Sequence, residues 1–263
     1  MSETVYPDYS VPEYETRSRV SAAEWQARVD LAACYKLLVL HGWDDLIYTH
    51  VSLKIPGTEH FLINAFGLTF AEVTASNLVK IDIDGNIIDK DCPFTINPAG
   101  FTIHSAVHAA RHDAQCVIHI HHSDAIAVAS QQAGLLPLSQ YAAFALASLS
   151  YHGYEGLAVD AGECQRLQDD LGKSNFMLLP NHGALTVGAT TGDAFMHMYD
   201  LIRACEIQLK MQQSQAELIY LEPHIVDNIK AQANVVHTGL TGGQKAWPAM
   251  LRRVKAAFPD FDQ

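Results

Sequence analysis

Behind the capping box Ser21-x-x-Glu24, apolar side chains recur at helical spacing at Trp25, Val29, Ala32, Ala33 and Leu37, and Gly42 follows as a stop. This predicts an amphipathic helix. Residues 46–55 then alternate, with Ile47, Thr49, Val51, Leu53 and Ile55 on one side and Tyr48, His50, Ser52 and Lys54 on the other, as in a half-buried strand. Residues 60–64 read as another strand, and 79–83 with 86–88 as a hairpin turning at Asp84-Gly85. Asn97-Pro98-Ala99-Gly100 opens a helix to residue 111, and 116–122 is a buried strand followed by a helix over 123–132. Residues 135–149 are apolar and fit either helix or strand, while 151–155 read as a surface turn. A helix at 161–171, strands at 176–179 and 184–187, and a long helix over 192–217 follow. Two further helices, 225–236 and 246–258, are expected on either side of a flexible link at Thr241-Gly242-Gly243. The organisation predicted is an arm over 1–20, one domain over 21–220 and a helical extension over 221–263 that packs on it.

One strand breaks its own pattern. In Cys116-Val117-Ile118-His119-Ile120-His121-His122, imidazoles replace aliphatics at alternate positions. Side chains two apart on a strand share a face, roughly 6.5–7 Å apart along the chain, so His119 and His121 can reach a common ion at about 2.0–2.1 Å. His182, in the turn Pro180-Asn181-His182-Gly183, is the obvious third ligand. The plain alternative is a pair of hydrogen-bonded core histidines, since the chain holds 14 histidines. A rival row, His104, His108 and His112, lies on one helix face, but three successive turns span about 12 Å, too far for one ion. In that row His104 is expected beside the core and the other two exposed. His122 points away from its neighbours and is read as a supporting residue.

Composition changes the picture mainly by exclusion. With 263 residues, 49% hydrophobic and 17% charged, the chain is an ordinary globular one. Its formal charge of −12 argues against nucleic acid or an anionic membrane as partner, leaving small molecules or proteins. No apolar run approaches the roughly 20 residues of a membrane span, and residues 1–13 lack a signal peptide's pattern, so a cytoplasmic location is expected. The five cysteines are scattered without a Cys-x-x-Cys and read as reduced packing residues.

The ordered set Thr49-His50-Val51-Ser52, Ile63-Asn64-x-x-Gly67, Asp84-Gly85-Asn86, Gly100-Phe101-x-x-His104, His119-Ile120-His121 and Asn181-His182-Gly183 resembles the class II aldolase/adducin family. The resemblance implies a three-layer α/β/α sandwich around a large, mainly antiparallel sheet, and a homotetramer with sites near subunit boundaries. It matches His119, His121 and His182 to the family's metal histidines, and Tyr141 to a tyrosine that donates a proton in a neighbouring subunit's site. Departures accompany it. The aldolases' acid/base glutamate is Gly100 here, the serine pair that binds phosphate is Pro98-Ala99, and the phosphate-loop asparagine is His50. The local pattern is closer to the adducin-like branch and its bacterial members.

Three functions follow as expectations. The first is a divalent-metal-dependent lyase, with zinc first and iron, manganese, cobalt or nickel as alternatives. It would act on a small oxygenated, non-phosphorylated substrate by retro-aldol cleavage or decarboxylation through a metal-stabilised enolate, with Tyr141 or His50 moving the proton. The second is a non-enzymatic adducin-like assembly module, and the third an Fe(II) oxygenase on the same fold.

Overall fold

Helix α1 (Ala22–His41) starts where the Ser21 side chain accepts from the Glu24 N–H and stops at Gly42, whose φ of 67° is the left-handed conformation of a helix C-terminus. The computed structural model describes residues 10–156 and 161–263, so residues 1–9 of the expected arm lie outside the described residues. The rest of that arm is held by contacts: Thr16 donates to the Ser76 carbonyl at 2.9 Å, and the Tyr14 ring meets Phe94 edge-on.

The strands are β1 (His50–Lys54), β2 (Phe61–Ile63), β3 (Val79–Ile81), β4 (Cys116–Ile120), β5 (Leu149–Tyr151), β6 (Phe176–Leu179) and β7 (Gly183–Gly188). They form one sheet in the order β3-β2-β1-β4-β7-β6-β5, antiparallel except where β5 runs parallel to β6. The other helices are α2 (Pro98–Ala110), α3 (Ser123–Ala129), α4 (Gln140–Leu146), α5 (Ala161–Leu171), α6 (Thr191–Gln213), α7 (Pro223–His237) and α8 (Gly242–Ala257). Alternation along the strands sorts them into two layers. Val51, Ile118, Ile120 and Leu178 meet α1, α3, α4, α6 and α8 on one face. Val117, Met177, Leu179, Leu185 and Val187 meet α2 and α5 on the other. The result is the expected three-layer α/β/α sandwich.

Several boundaries differ from the sequence pattern for local reasons. β1 begins only at His50, because Leu46 and Thr49 take left-handed φ values of 52° and 66° and fold 45–49 into a turn. The second half of the 79–88 hairpin is a single bridge, Ile81 to Ile87. The ambiguous stretch 135–149 becomes α4 and the start of β5. Thr241-Gly242-Gly243 is a helix start and not a flexible link, since Thr241 and Gln244 form a reciprocal capping box. Gly243 lets α8 cross α6 closely, where a Cβ would come within 2.4 Å of the Gly192 carbonyl.

Tyr35 ties α1 to the sheet. Its buried hydroxyl donates to the Val51 carbonyl at 2.6 Å and accepts from the N–H groups of Val51 at 2.8 Å and Asn64 at 3.2 Å. Tyr35→Phe strands two buried donors at about 1–3 kcal/mol each, so we expect a loss of about 2–6 kcal/mol, read from urea unfolding at unchanged m-value.

Candidate metal centre and its cleft

The alternation that buries Ile118 and Ile120 beneath one helical layer turns His119 and His121 toward the other face. His182 joins them from the β6–β7 turn, where Asn181 adopts φ 60° and Gly183 presses against β4. Only glycine fits at 183, because a Cβ there would sit 2.4 Å from the Ile120 carbonyl oxygen. One ring nitrogen from each of the three histidines lies within 4.8 Å of the others.

Hydrogen-bond polarity tests whether these residues suit a metal. His119 Nδ1 is 3.1 Å from the Ala184 carbonyl, and His121 Nδ1 is 2.9 Å from an Asp45 carboxylate oxygen. Both partners only accept, so both Nδ1 atoms carry the proton. In neutral rings the two Nε2 lone pairs then face each other at 3.1 Å, an arrangement that repels unless a cation lies between them. Two ligands at about 2.0–2.1 Å from a tetrahedral ion are about 3.3–3.4 Å apart, close to this separation. Burial lowers the His182 pKa to about 4 and holds that of His119 well below the usual range, which keeps them in the uncharged form a metal requires. The donor set fits a divalent ion.

A cleft of about 460 Å³ opens onto this triad. His50 forms part of its wall, paired across the sheet with His119 at a ring-centroid separation of 5.4 Å. Gly100 lies against it so closely that a Cβ would come 2.1 Å from His50 Nε2. The imidazole therefore fills the space that a side chain at residue 100 would take. Burial lowers the His50 pKa to about 3.

The other expected residues divide. His104 and His108 are buried and hydrogen-bonded to Ser52, and do not join the triad; the expectation that His108 is exposed is corrected, because β1 offers it that hydroxyl at 2.7 Å. His112 is exposed. His122 caps α3, its Nδ1 accepting from the Asp124 N–H at 3.2 Å. Tyr141 is half-buried on α4 beside Tyr199, at 6.1 Å between ring centroids, and is not in the cleft wall of its own chain.

Three residues of the site escaped sequence reasoning. Asp45 orients His121, yet only the general need of a ligating histidine for an acceptor could have suggested such a partner. Thr49 reaches the cleft with a left-handed backbone and a buried hydroxyl that, among the described residues, has no hydrogen-bond partner. Tyr154 belongs to the stretch expected as a surface turn. Instead Tyr151 lies in an edge strand, His152 is buried against Asp170 at 2.7 Å, and the exposed Tyr154 ring lies 5.7 Å from His182 on the cleft rim.

The fold and site together define an α/β/α protein in which three histidines converge on one point in a geometry that fits a divalent ion. The chain belongs to the class II aldolase/adducin family, matching the Class II Aldolase and Adducin N-terminal domain over residues 29–209. It is 55% identical over 251 residues to a Pseudomonas aeruginosa protein that carries the class 2 aldolase name, covering 95% of this chain and 96% of that one. It is 44% identical over 202 residues to mouse alpha-adducin, covering 74% of this chain but 27% of the adducin. A solved aldolase II superfamily protein from Pseudomonas syringae superimposes with a TM-score of 0.87 at 46% identity, over 94% of this chain and 99% of that one. Among the described residues, no helix is long and apolar enough to cross a membrane.

Removing the acceptor that orients His121 should weaken the centre without emptying it. Asp45→Ala is expected to lower zinc affinity about 10–100-fold, measured by competition with a chromogenic chelator.

Acid should destabilise the fold through the buried rings. Burial lowers the folded-state His108 pKa to about 4, against about 6.5 in the unfolded chain. The unfolded state therefore binds more protons below that value, so this contribution to stability is complete above about pH 6.5 and lost as pH falls toward about 4. Melting temperature measured across that window should fall, and fall less steeply in His108→Gln.

Proposed function

We propose that this chain is a divalent-metal-dependent carbon–carbon lyase acting on a small, non-phosphorylated oxygenated substrate, by retro-aldol cleavage or decarboxylation, with His50 moving the proton. The observation that carries this reading is the seat of His50, whose Nε2 edge lies where a side chain at Gly100 would project, beside the triad. The aldolases of the family place their acid/base glutamate at that sequence position.

When bound, the ion supplies Lewis acidity to a substrate carbonyl and so stabilises the charge that develops as the adjacent bond breaks. The remaining work belongs to the chain. Asp45 and the Ala184 carbonyl hold the imidazoles of His121 and His119 with their Nε2 atoms toward one point. In a retro-aldol step His50 accepts the proton of the hydroxyl on the carbon that leaves as an aldehyde. It then returns a proton to the carbon that keeps the electron pair. In a decarboxylation only the second transfer is needed.

Two observations bear on the substrate. Among the described residues the cleft wall contains no lysine or arginine, the side chains that most readily hold a phosphate. Its exposed aromatics, Tyr48, Phe66 and Tyr154, offer rings to a less charged molecule. In this reading zinc is the first choice of ion, and any contribution from Tyr141 comes from a neighbouring subunit of a homotetramer. The likeness to alpha-adducin supports a second reading, an assembly module that inherits the histidines without using them.

Loss of carbon-bound protons to D2O, followed by 1H NMR with dihydroxyacetone and pyruvate as carbonyl probes, separates the two. We expect exchange that requires about one metal per chain, disappears with the metal in His121→Ala, and slows about 10²–10⁴-fold in His50→Gln. Dihydroxyacetone phosphate should be no better a probe than dihydroxyacetone. A stoichiometrically metal-loaded protein that exchanges none of these probes would leave the assembly reading standing.

A further inference from the structure

The face of the sheet under α2 contains a line of buried polar groups that the metal centre does not account for. His50 and Ser52 alternate on β1 and point toward α2, which lowers His104 and His108, one turn apart, onto them. Successive contacts run from the cleft inward. His50 Nδ1 is 2.9 Å from His104 Nε2, His104 Nδ1 is 2.6 Å from Ser52 Oγ, and Ser52 Oγ is 2.7 Å from His108 Nε2. His108 Nδ1 ends the line 3.1 Å from the Ala114 carbonyl. All four side chains are at least nine-tenths buried, and among the described residues none of the rings has a carboxylate within hydrogen-bond reach.

The carbonyl at the end fixes the polarity of the whole line. It can only accept, so His108 holds its proton on Nδ1 and presents a bare Nε2. Ser52 must donate to that nitrogen, which leaves its oxygen to accept from His104 Nδ1. His104 Nε2 is then bare and accepts from His50 Nδ1. The last ring in the sequence has one nitrogen left, His50 Nε2, and its edge lies against Gly100 in the cleft.

We infer that Ser52, His104 and His108 are positioning residues that lock His50 in the tautomer with its proton on Nδ1, so that a bare Nε2 faces the substrate. The inference rests on reading His50 as the proton-moving group, and it assigns that group a direction: His50 begins turnover as an acceptor, as the retro-aldol step requires, whereas a decarboxylation would have to draw its proton from elsewhere. The line ends on a neutral carbonyl instead of a carboxylate, so a proton taken at Nε2 leaves an imidazolium without a counter-charge in the line. That proton is returned to the substrate within the same cycle.

The tautomer is directly observable. Long-range 1H–15N spectra of full-length protein labelled with 15N-histidine, metal-free and loaded with zinc, distinguish a bare from a protonated Nε2 in each ring, with His50→Gln identifying the signals. We expect a single Nδ1–H tautomer for His50 in the wild type, a mixture in Ser52→Ala, and its recovery in Ser52→Thr, which keeps the hydroxyl. Exchange of dihydroxyacetone protons into D2O should slow about 10–100-fold in Ser52→Ala through kcat, with KM unchanged, and recover in Ser52→Thr. Protonation of His50 at Nε2 in the wild type, or a tautomer that Ser52→Ala leaves unchanged, overturns the inference. A shifted tautomer with full exchange activity overturns the positioning role if His50→Gln is inactive. If His50→Gln is itself fully active, the lock stands and the assignment of His50 as the proton-moving group fails.

Discussion

The register of β1 against β4 is the constraint on which the site depends. His50 lies opposite His119, Ser52 opposite Val117 and Val51 opposite Ile118. A slip of one residue would exchange every inward and outward side chain on β1. His50 and Ser52 would enter the apolar layer beneath α1 and α6, and Val51 and Leu53 would face α2. The large apolar core under α1 thus enforces the polar arrangement on the opposite face: Val51, Leu53, Ile118 and Ile120 find complete burial only in this register. Tyr35 adds a second restraint from α1 at the same strand pair.

That coupling explains what could be read in the sequence. The two-residue period over 116–122 placed His119 and His121 on one face without any knowledge of the fold, and a turn histidine after β6 completed the set. The helices announced themselves through caps such as Ser21 and through helical spacing. The remaining parts of the site depend on contacts far apart in sequence. Asp45 reaches His121 across 76 positions, and Ser52 reaches His108 across 56. A helical histidine row offers the same pattern whether it meets a metal, a hydroxyl or water, so the fate of His108 was undetermined until β1 lay beneath it. Thr49 was hidden for another reason. A β-branched residue with φ of 66° violates local preference, and such conformations persist only where surrounding structure imposes them.

The polar line under α2 has an energetic consequence. An unpaired polar group in such a place costs about 1–3 kcal/mol, so the arrangement is tolerable only because each ring nitrogen meets a partner and the last one meets the cleft. Completeness is also what makes the line directional. A line with water at its inner end could hold its protons either way, whereas the Ala114 carbonyl permits one arrangement.

The pairing of Gly100 with His50 shows how such a site can differ from the family pattern while its three converging histidines stay in place. With a Cβ only 2.1 Å from His50 Nε2, residue 100 cannot carry a side chain while the imidazole is seated there. The two positions are therefore coupled: glycine at one is the steric condition for histidine at the other. The exchange also alters charge. An acid/base glutamate beside three neutral histidines would reduce the positive charge felt by a bound substrate, whereas a neutral imidazole leaves it whole. Under the proposed reading, a fuller charge would stabilise an anionic product of carbon–carbon cleavage more strongly, and His50, being on the sheet and not on the helix, is held by the same register that holds His119. On that same reading, the proton-moving group and one ligand of the metal are thereby fixed to the same sheet, and a single strand pairing sets the geometry of both.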